Sequence, residues 1–508
     1  MSVERIEARW IVTGVDADGI AQVIDHAALV HDDGLILAVG AREDMLARWP
    51  DAAVKSFASH VLMPGFVNAH HHVGLTPTQL GAHDVALELW FATRLAARDV
   101  DPHLDALYSA FEMIASGVTC VQHLQSRIAG SGEDVHAGST AVLAAYRQVG
   151  LRVSYSYAFR EQNRLVYEDD AVFCASLPGE LGERLATQLR RHTLGLDEQM
   201  QVYSSLRDDC VDDARIRIQL APASLHWMTD DGLSSMAERA RDDGVPMHMH
   251  LLETPYQREY ARRRTGTTAV RHLERLGILG PSLTLGHAVW VDDDDIDCLA
   301  ASGTCICHNC SSNLRLRSGR APLTALASRG MTIGLGIDEA GINDDRDMLQ
   351  ELRLALRVHR TPGFDDADVP SPASMFRMAT EHGAATTPFK GSIGRLDSGM
   401  RCDAVAIDHA AATWPFQDEA LPLLDTVLLR AKSQHVDTVF VDGEVIYSQG
   451  RFTHVDCDAV MNEIAARMSV PRSRAEIERV QLSSDVLPHV RTFYEHYLTG
   501  RETQKANA

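Results

Sequence analysis

One phrase recurs through the middle of this sequence and limits what it can fold into: an amphipathic stretch, then glycine, then a short β-prone run. It reads "LDALYSAFEMIASG" before "VTCVQHL", "STAVLAAYRQVG" before "LRVSYSY", "LSSMAERARDDG" before "VPMHMHLL", "DDIDCLAASG" before "TCICHN" and "LTALASRG" before "MTIGLGID". In the first, Leu104, Leu107, Phe111 and Ile114 fall at helical spacing, and Gly117 can take the left-handed conformation that closes a helix. Each phrase predicts helix, stop, strand. With "LMPGFVNAHHH", "IRIQLA" and "LTLGHAV" added, strands are expected near 62–72, 118–123, 152–157, 216–221, 245–251, 283–287, 304–308 and 332–338. Alternating β and α units in that number close into a (β/α)8 TIM-like barrel of the α/β class; an open doubly wound sheet accommodates the same count.

The ends are written differently. Residues 1–60 and 391–455 are short β-prone runs punctuated by Gly and Asp, and they are expected to pair into one small composite β-sandwich domain. That leaves 61–390 for the catalytic barrel and 456–508 for a helical C-terminal extension.

Composition narrows the function. A chain of 508 residues, 45% hydrophobic and 23% charged, is ordinary globular material with room for a large domain and a smaller one. Seventy acidic against 48 basic residues give a net charge of -22, a field that repels phosphate backbones; a small-molecule partner is expected, not nucleic acid. No long uninterrupted apolar stretch and no basic-then-apolar leader is visible, so neither a membrane span nor a secretory signal is expected. The nine scattered cysteines read as reduced thiols, which fits a cytoplasmic protein.

Chemistry concentrates at the strand ends. In "PGFVNAHHH" the alternation of a strand sends His70 and His72 to one side and His71 to the other, so two imidazoles can meet one ion. A catalytic zinc site needs about three protein ligands and an open position. "PMHMHLLET" ends a strand with His248, His250 and Glu253, "LTLGHAV" with His287, and "TIGLGIDEAG" with Asp338. In a parallel barrel all strand C-termini open on one face, where these side chains would converge. Each also has a structural reading: His248 as a core histidine, His287 as a hydrogen-bonded one, Asp338 as the cap of the next helix.

Taken in order, "PGFVNAHHH", "HLLET", "GH" at 286–287, "HNCSSNLRL" at 308–316 and "GIDEAGINDDRDML" resemble the amidohydrolase superfamily. The likeness is to its metal-dependent aminohydrolases, the branch of guanine, triazine, pterin and S-adenosylhomocysteine deaminases. The resemblance implies that His70, His72, His250 and Asp338 bind one divalent ion, zinc or alternatively iron(II). It also implies that Glu253, His287 and Asp338 are catalytic, and that the protein is a homodimer or homotetramer. A bound metal ion lowers the pKa of water, Asp338 can accept its proton, Glu253 can protonate a ring nitrogen or the leaving group, and His287 can steady developing charge. Relatives that bridge two metals use a carbamylated lysine. Here the lysines are Lys55, Lys390, Lys432 and Lys505, none on a barrel strand, which favours one ion.

The expected reaction is deamination of an amino-substituted N-heterocycle. The alternative is hydrolysis of an amide, urea or carbamate C–N bond, or hydrolytic dechlorination, with the same site. Before strand five the S-adenosylhomocysteine and related deaminases usually carry a Pro-His substrate contact, whereas "LAPASLHWMTDD" has Ala223 at the matching place, which weakens the likeness to adenosine-type substrates. Trp90, His226 and Trp227 are candidates to hold a flat ring, with core packing as their other reading. "CICHNC" imitates a metal cluster. However, Cys305 and Cys307 share one face of a strand and His308 takes the other, so one ion does not easily collect these and Cys310. Neither Gly-x-Ser-x-Gly nor His-Glu-x-x-His occurs, which excludes the serine-hydrolase and zincin patterns.

Overall fold

A computed structural model of the chain describes residues 3–498 apart from 73, 127, 367 and 368. The first four strands are β1 (Glu4–Val15), β2 (Ala21–Asp32), β3 (Leu35–Ala41) and β4 (Ala53–Pro64). The middle of the chain supplies β5 (Phe66–His71), β6 (Val118–Gln125), β7 (Arg152–Phe159), β8 (Ile216–Ile218) and β9 (Ala221–Pro222). It continues with β10 (Met247–Leu251), β11 (Leu283–His287), β12 (Cys305–His308) and β13 (Ile333–Leu335). The last strands are β14 (Ala404–Asp408), β15 (Val436–Val441), β16 (Glu444–Ser448) and β17 (Arg451–Phe452).

The middle strands form two parallel ladders, β5-β6-β7-β8 with β9 on β7, and β10-β11-β12-β13. Parallel bridges Leu220↔Met247 and Ser224↔His250 join the first ladder to the second, and His71↔Asp338 joins the second back to β5. The expected strand near 62–72 is divided: Leu62 to Pro64 end β4, and β5 begins at Phe66 after Gly65.

The helices between these strands form for local reasons. In the helix Pro102–Ala115, Asp101 accepts from the His103 and Leu104 amides, and Pro102 sits in the first turn, where its missing N–H costs nothing. Leu104, Leu107, Phe111 and Ile114 are buried on one face, worth roughly 1.5–3 kcal/mol each in apolar burial. Gly117, at φ 93°, turns the chain into β6.

The chain ends meet in one eight-stranded sheet, ordered β17-β16-β15-β14-β4-β1-β2-β3. Two short helices, His409–Thr413 and Leu423–Arg430, interrupt the β-prone pattern of its C-terminal part. A buried ion pair ties this sheet to the parallel one. Arg152 on β7 grips Asp403 through Nε and Nη2 at 2.7 and 2.9 Å, and Nη2 also reaches Asp442 at 2.7 Å. Removing one partner would leave a charge buried and unanswered, a loss of about 3–5 kcal/mol.

Helices Cys457–Ser469 and Arg474–Glu495 follow, the second packing Leu482, Val486, Val490 and Tyr494 against the helical segments that begin at Leu87. Residues 499–508 of the expected helical extension, and residues 1–2 of the expected β-domain, lie outside the described residues. No described helix is long and apolar enough to cross a membrane.

Candidate metal centre

The strand alternation that separates the three histidines is visible at the end of β5. His70 Nε2 lies 3.0 Å from His72 Nε2 and 3.1 Å from His250 Nε2, and the last two are 3.0 Å apart. Asp338 Oδ1 is 3.2 Å from His72 Nε2 and 3.7 Å from His70 Nε2. His71 takes the other face, its ring 5.3 Å from that of His123, whose Nδ1 in turn meets the Tyr146 hydroxyl on a surrounding helix.

The proton positions of this cluster follow from its partners. His72 Nδ1 donates to the Leu124 carbonyl and His250 Nδ1 to the Ala223 carbonyl, each at 2.7 Å. Both Nε2 atoms therefore present lone pairs, and they face each other at 3.0 Å. Burial holds His70 and His250 well below the ordinary imidazole pKa, so these rings are neutral. Converging lone pairs on neutral buried rings repel one another unless a cation sits among them. The spacing suits one: ligands about 2.0–2.1 Å from a tetrahedral ion stand ~3.3 Å apart. Three imidazoles and a carboxylate are the donor set of a borderline divalent metal, so the residues fit the group.

Glu253 and His287 border this cluster. His287 Nε2 is 3.7 Å from both Glu253 Oε2 and Asp338 Oδ2. Burial pushes the Glu253 carboxyl up to about 7. The "HNCSSNLRL" stretch supplies the supports: Ser312 Oγ donates to Asp338 Oδ2 at 2.6 Å, and Asn313 Oδ1 meets His287 Nδ1 at 2.9 Å. His287 and Asp338 both sit at positive φ, 73° and 66°, where non-glycine residues are strained; such strain concentrates at functional sites. Gly336 has a clear reason to be glycine, since a Cβ there would stand 2.6 Å from the His70 Cβ and 2.9 Å from its backbone nitrogen.

A small cavity of about 50 Å³ opens on these groups, bordered by Trp90, Phe91 and Trp227 as well as His72, His250, Glu253, His287 and Asp338. Trp90 and Trp227 are thus brought to the site. His226 is not: its Nδ1 meets Ser224 Oγ at 2.9 Å, its ring packs on Tyr167 with centroids 4.5 Å apart, and it borders neither this cavity nor the larger one beside it. Its ring also packs on Trp227 with centroids 4.2 Å apart, one residue away from the cavity wall. His248 supports His70, Nε2 to Nδ1 at 2.8 Å.

Sequence reasoning passed over Glu88, a buried carboxyl raised to about 7 by burial that accepts from the Tyr167 and Thr254 hydroxyls beside Glu253. Only its place in "LELWF", next to Trp90, hinted at it. The cysteine-rich stretch is divided as the strand faces require. Cys307 lies with His70 and His248, whereas His308 and Cys310 lie with His359.

The amidohydrolase family matches residues 61–446, and a bacterial imidazolonepropionase-like composite domain matches 27–52. The chain belongs to the amidohydrolase family. This amidohydrolase is 29% identical over 464 residues to a 5-methylthioadenosine/S-adenosylhomocysteine deaminase of Nitratidesulfovibrio vulgaris, covering 90% of this chain and 95% of that one. In structure it is similar to a zinc-bound adenosine deaminase of Xanthomonas campestris, with a TM-score of 0.74, 24% identity, and 94% and 98% of the two chains covered. It is also similar to a zinc-complexed atrazine chlorohydrolase of Arthrobacter aurescens, with a TM-score of 0.78, 20% identity, and 91% and 99% covered.

Proposed function

We propose that this amidohydrolase is a mononuclear, zinc-dependent aminohydrolase that deaminates an amino-substituted N-heterocycle. The observation that carries the reading is the meeting of three imidazole Nε2 atoms within 3.1 Å, with the Glu253, His287 and Asp338 side chains at the rim of one cavity. Relatives named as deaminases of adenosine derivatives support the reaction class. Among the described residues, lysine is absent from the cavity wall, which supports a single ion.

His70, His72, His250 and Asp338 would hold the ion, with Fe2+ the alternative to Zn2+. When bound there, a divalent ion lowers the pKa of water, making the nucleophile available near neutral pH. Asp338 takes the proton of the attacking water, its carboxylate held in place by the Ser312 hydroxyl at Oδ2. Glu253, protonated near neutrality, delivers a proton to a ring nitrogen, which makes the ring carbon electrophilic. Asp338 passes the proton it took from water to the departing amine, and Glu253 regains a proton from the added hydroxyl as the ring carbonyl forms. His287, its Nε2 between the Glu253 and Asp338 side chains, faces the negative charge that builds on the substrate. Trp90, Phe91 and Trp227 give the ring aromatic surface and keep water out.

The same proposal takes the parallel ladders and their bridges as a closed (β/α)8 barrel spanning 61–390. Segments 1–60 and 391–455 form the composite β-sandwich domain, and 456–508 the helical extension. A cytoplasmic homodimer or homotetramer completes it, on the family resemblance.

An ammonia-release screen of metal-loaded protein across aminopurines, pterins and aminotriazines tests the reaction. Ammonia with the matching oxo-heterocycle is expected. Release of chloride, or of a larger amine from an amide, urea or carbamate, would overturn deamination, and full turnover by metal-free protein would overturn the metal.

A further inference from the structure

Beside the metal centre lies a second, larger cavity of about 410 Å³, and it shares Phe91, Ser126 and Arg160 with the wall of the first. Among the described residues, its lining holds Arg94, Arg98, Arg160, Arg164, Arg191 and Arg479, but only two acidic residues, Asp99 and Asp105. Both acids are already engaged. Asp99 pairs with Arg479 at 2.7 Å, and Asp105 accepts the Gly74 and Leu75 amides at 2.9 and 2.7 Å. In a chain of net charge -22 this is an unusual concentration of positive charge.

Three of these arginines are under-satisfied. Arg160 makes no ion pair among the described residues; its guanidinium lies 3.8 Å over the Trp227 ring, and its Nε has no hydrogen-bond partner. Arg94, with a side chain 1% exposed, reaches Glu339 at 3.6 Å and lies 5.0 Å over the Trp90 ring, and its Nε and Nη1 lack hydrogen-bond partners among the described residues. Arg164 pairs with Asp170 through Nη1 at 3.0 Å, leaving Nε and Nη2 without partners. Buried N–H groups of this kind are costly unless something accepts from them, and guanidinium forks match the two oxygens of a carboxylate or phosphate.

We infer that this cavity is an anion-binding subsite, and that the heterocycle turned over at the metal centre carries an oxyanion group gripped by Arg160, with Arg94 and Arg164 beside it. The inference rests on the proposed reaction for its heterocycle and on these arginines for its anion. Arg160 stands on the common wall, with one side toward the ring cavity and the other toward the tail cavity. The aromatic face of Trp227 holds it there by cation–π attraction. An arginine so placed reads the length of the substrate between ring and charge, and a neutral analogue would leave its N–H groups unmatched.

The test begins with calorimetric titration of the full-length, metal-loaded protein with inorganic phosphate and with butyrate, each against wild type, Arg160→Gln and Arg94→Gln. Saturable binding of at least one probe is expected, weakened by at least about tenfold in both variants while metal content and melting temperature hold. The tighter probe names the source, phosphate or carboxylate. Absence of saturable binding by either probe overturns the inference, and so does binding that survives both substitutions, as it would if phosphate simply met the metal.

Turnover supplies the second arm. Amino-heterocycles bearing a carboxylate or phosphonate tail are compared with the matched carboxamide. A preference of about 30-fold or more in kcat/KM for the anion, collapsing in Arg160→Gln, is expected; an equal or better carboxamide overturns the inference. If the anions bind as described yet no amino-heterocycle releases ammonia, the reaction assignment fails and the subsite stands.

Discussion

Ser312 Oγ and Asp338 Oδ2 are 2.6 Å apart, a bond between the short helix Cys310–Arg315 after β12 and the loop after β13 that fixes the carboxylate in front of three imidazoles. Outer hydrogen bonds of this kind orient a ligand and typically matter 10–100-fold in affinity. Ser312→Ala is expected to weaken zinc affinity by roughly that factor, read by chelator competition, and to lower kcat/KM with it. An unchanged affinity would show that Asp338 is held by its backbone alone.

His70 and His71 should part company. His70→Ala is expected to lose the metal, because its Nε2 meets two other ring nitrogens, whereas His71 touches His123 on the far face. His71→Ala should keep about one ion per chain and lose roughly 1–3 kcal/mol of stability through the cavity it opens. Elemental analysis with thermal unfolding checks both; metal loss in His71→Ala would mean that the register of β5 is wrong.

The pH profile should report Glu253. Its carboxyl is raised to about 7 by burial, and the protonated form is the one that donates. Activity is therefore expected to fall as pH rises through about 7, and Glu253→Gln should retain metal and lose turnover by 100-fold or more. A profile flat from pH 6 to 9 would remove Glu253 as the acid.

Glu351 offers a stability test away from the reacting atoms. It is buried in the helix Met348–Val358, accepts from the Ser311 amide at 2.9 Å and from the Ser311 hydroxyl, and is raised to about 7, chiefly by burial. With the folded value above the unfolded one, the folded state binds the extra proton. Stability from this group is then full below about pH 4.5 and falls as pH rises to about 7. In Glu351→Gln, chemical denaturation between pH 5 and 8 is expected to show a shallower pH dependence than wild type.

Gly336→Ala should damage the metal centre without replacing a ligand. The added Cβ meets His70 at 2.6 Å and Asn309 Oδ1 at 2.5 Å, and the backbone of β5 has nowhere to retreat. Lower metal occupancy in folded protein is expected; full occupancy would show that β5 yields.

Much of this arrangement is legible from strand periodicity. Two-residue alternation separates His71 from His70 and His72, and helix–glycine–strand phrases locate β6, β7, β10, β12 and β13. What periodicity does not reveal is distance across the sheet. Ser312 and Asn313 carry no periodic signal in the sequence, and only the placement of the short helix Cys310–Arg315 beside the loop after β13 turns them toward Asp338 and His287. Arg94 and Arg160 lie far apart in sequence and give no spacing signal; their shared cavity emerges from packing. Residue type alone does not show that Ser224 engages the His226 ring.

The pairing of β4 with β14 has a consequence for biosynthesis. His60 to Pro64 hydrogen-bond to Ala404–Asp408, and β4 runs straight into the strand that carries His70. On the ribosome the N-terminal strands emerge long before that partner exists, with one side of β4 open along its length. The polypeptide that will hold the metal must wait, edge bare, for nearly the whole barrel to be translated. During that interval a chaperone, or a neighbouring nascent chain, competes with β14 for the same row of amides.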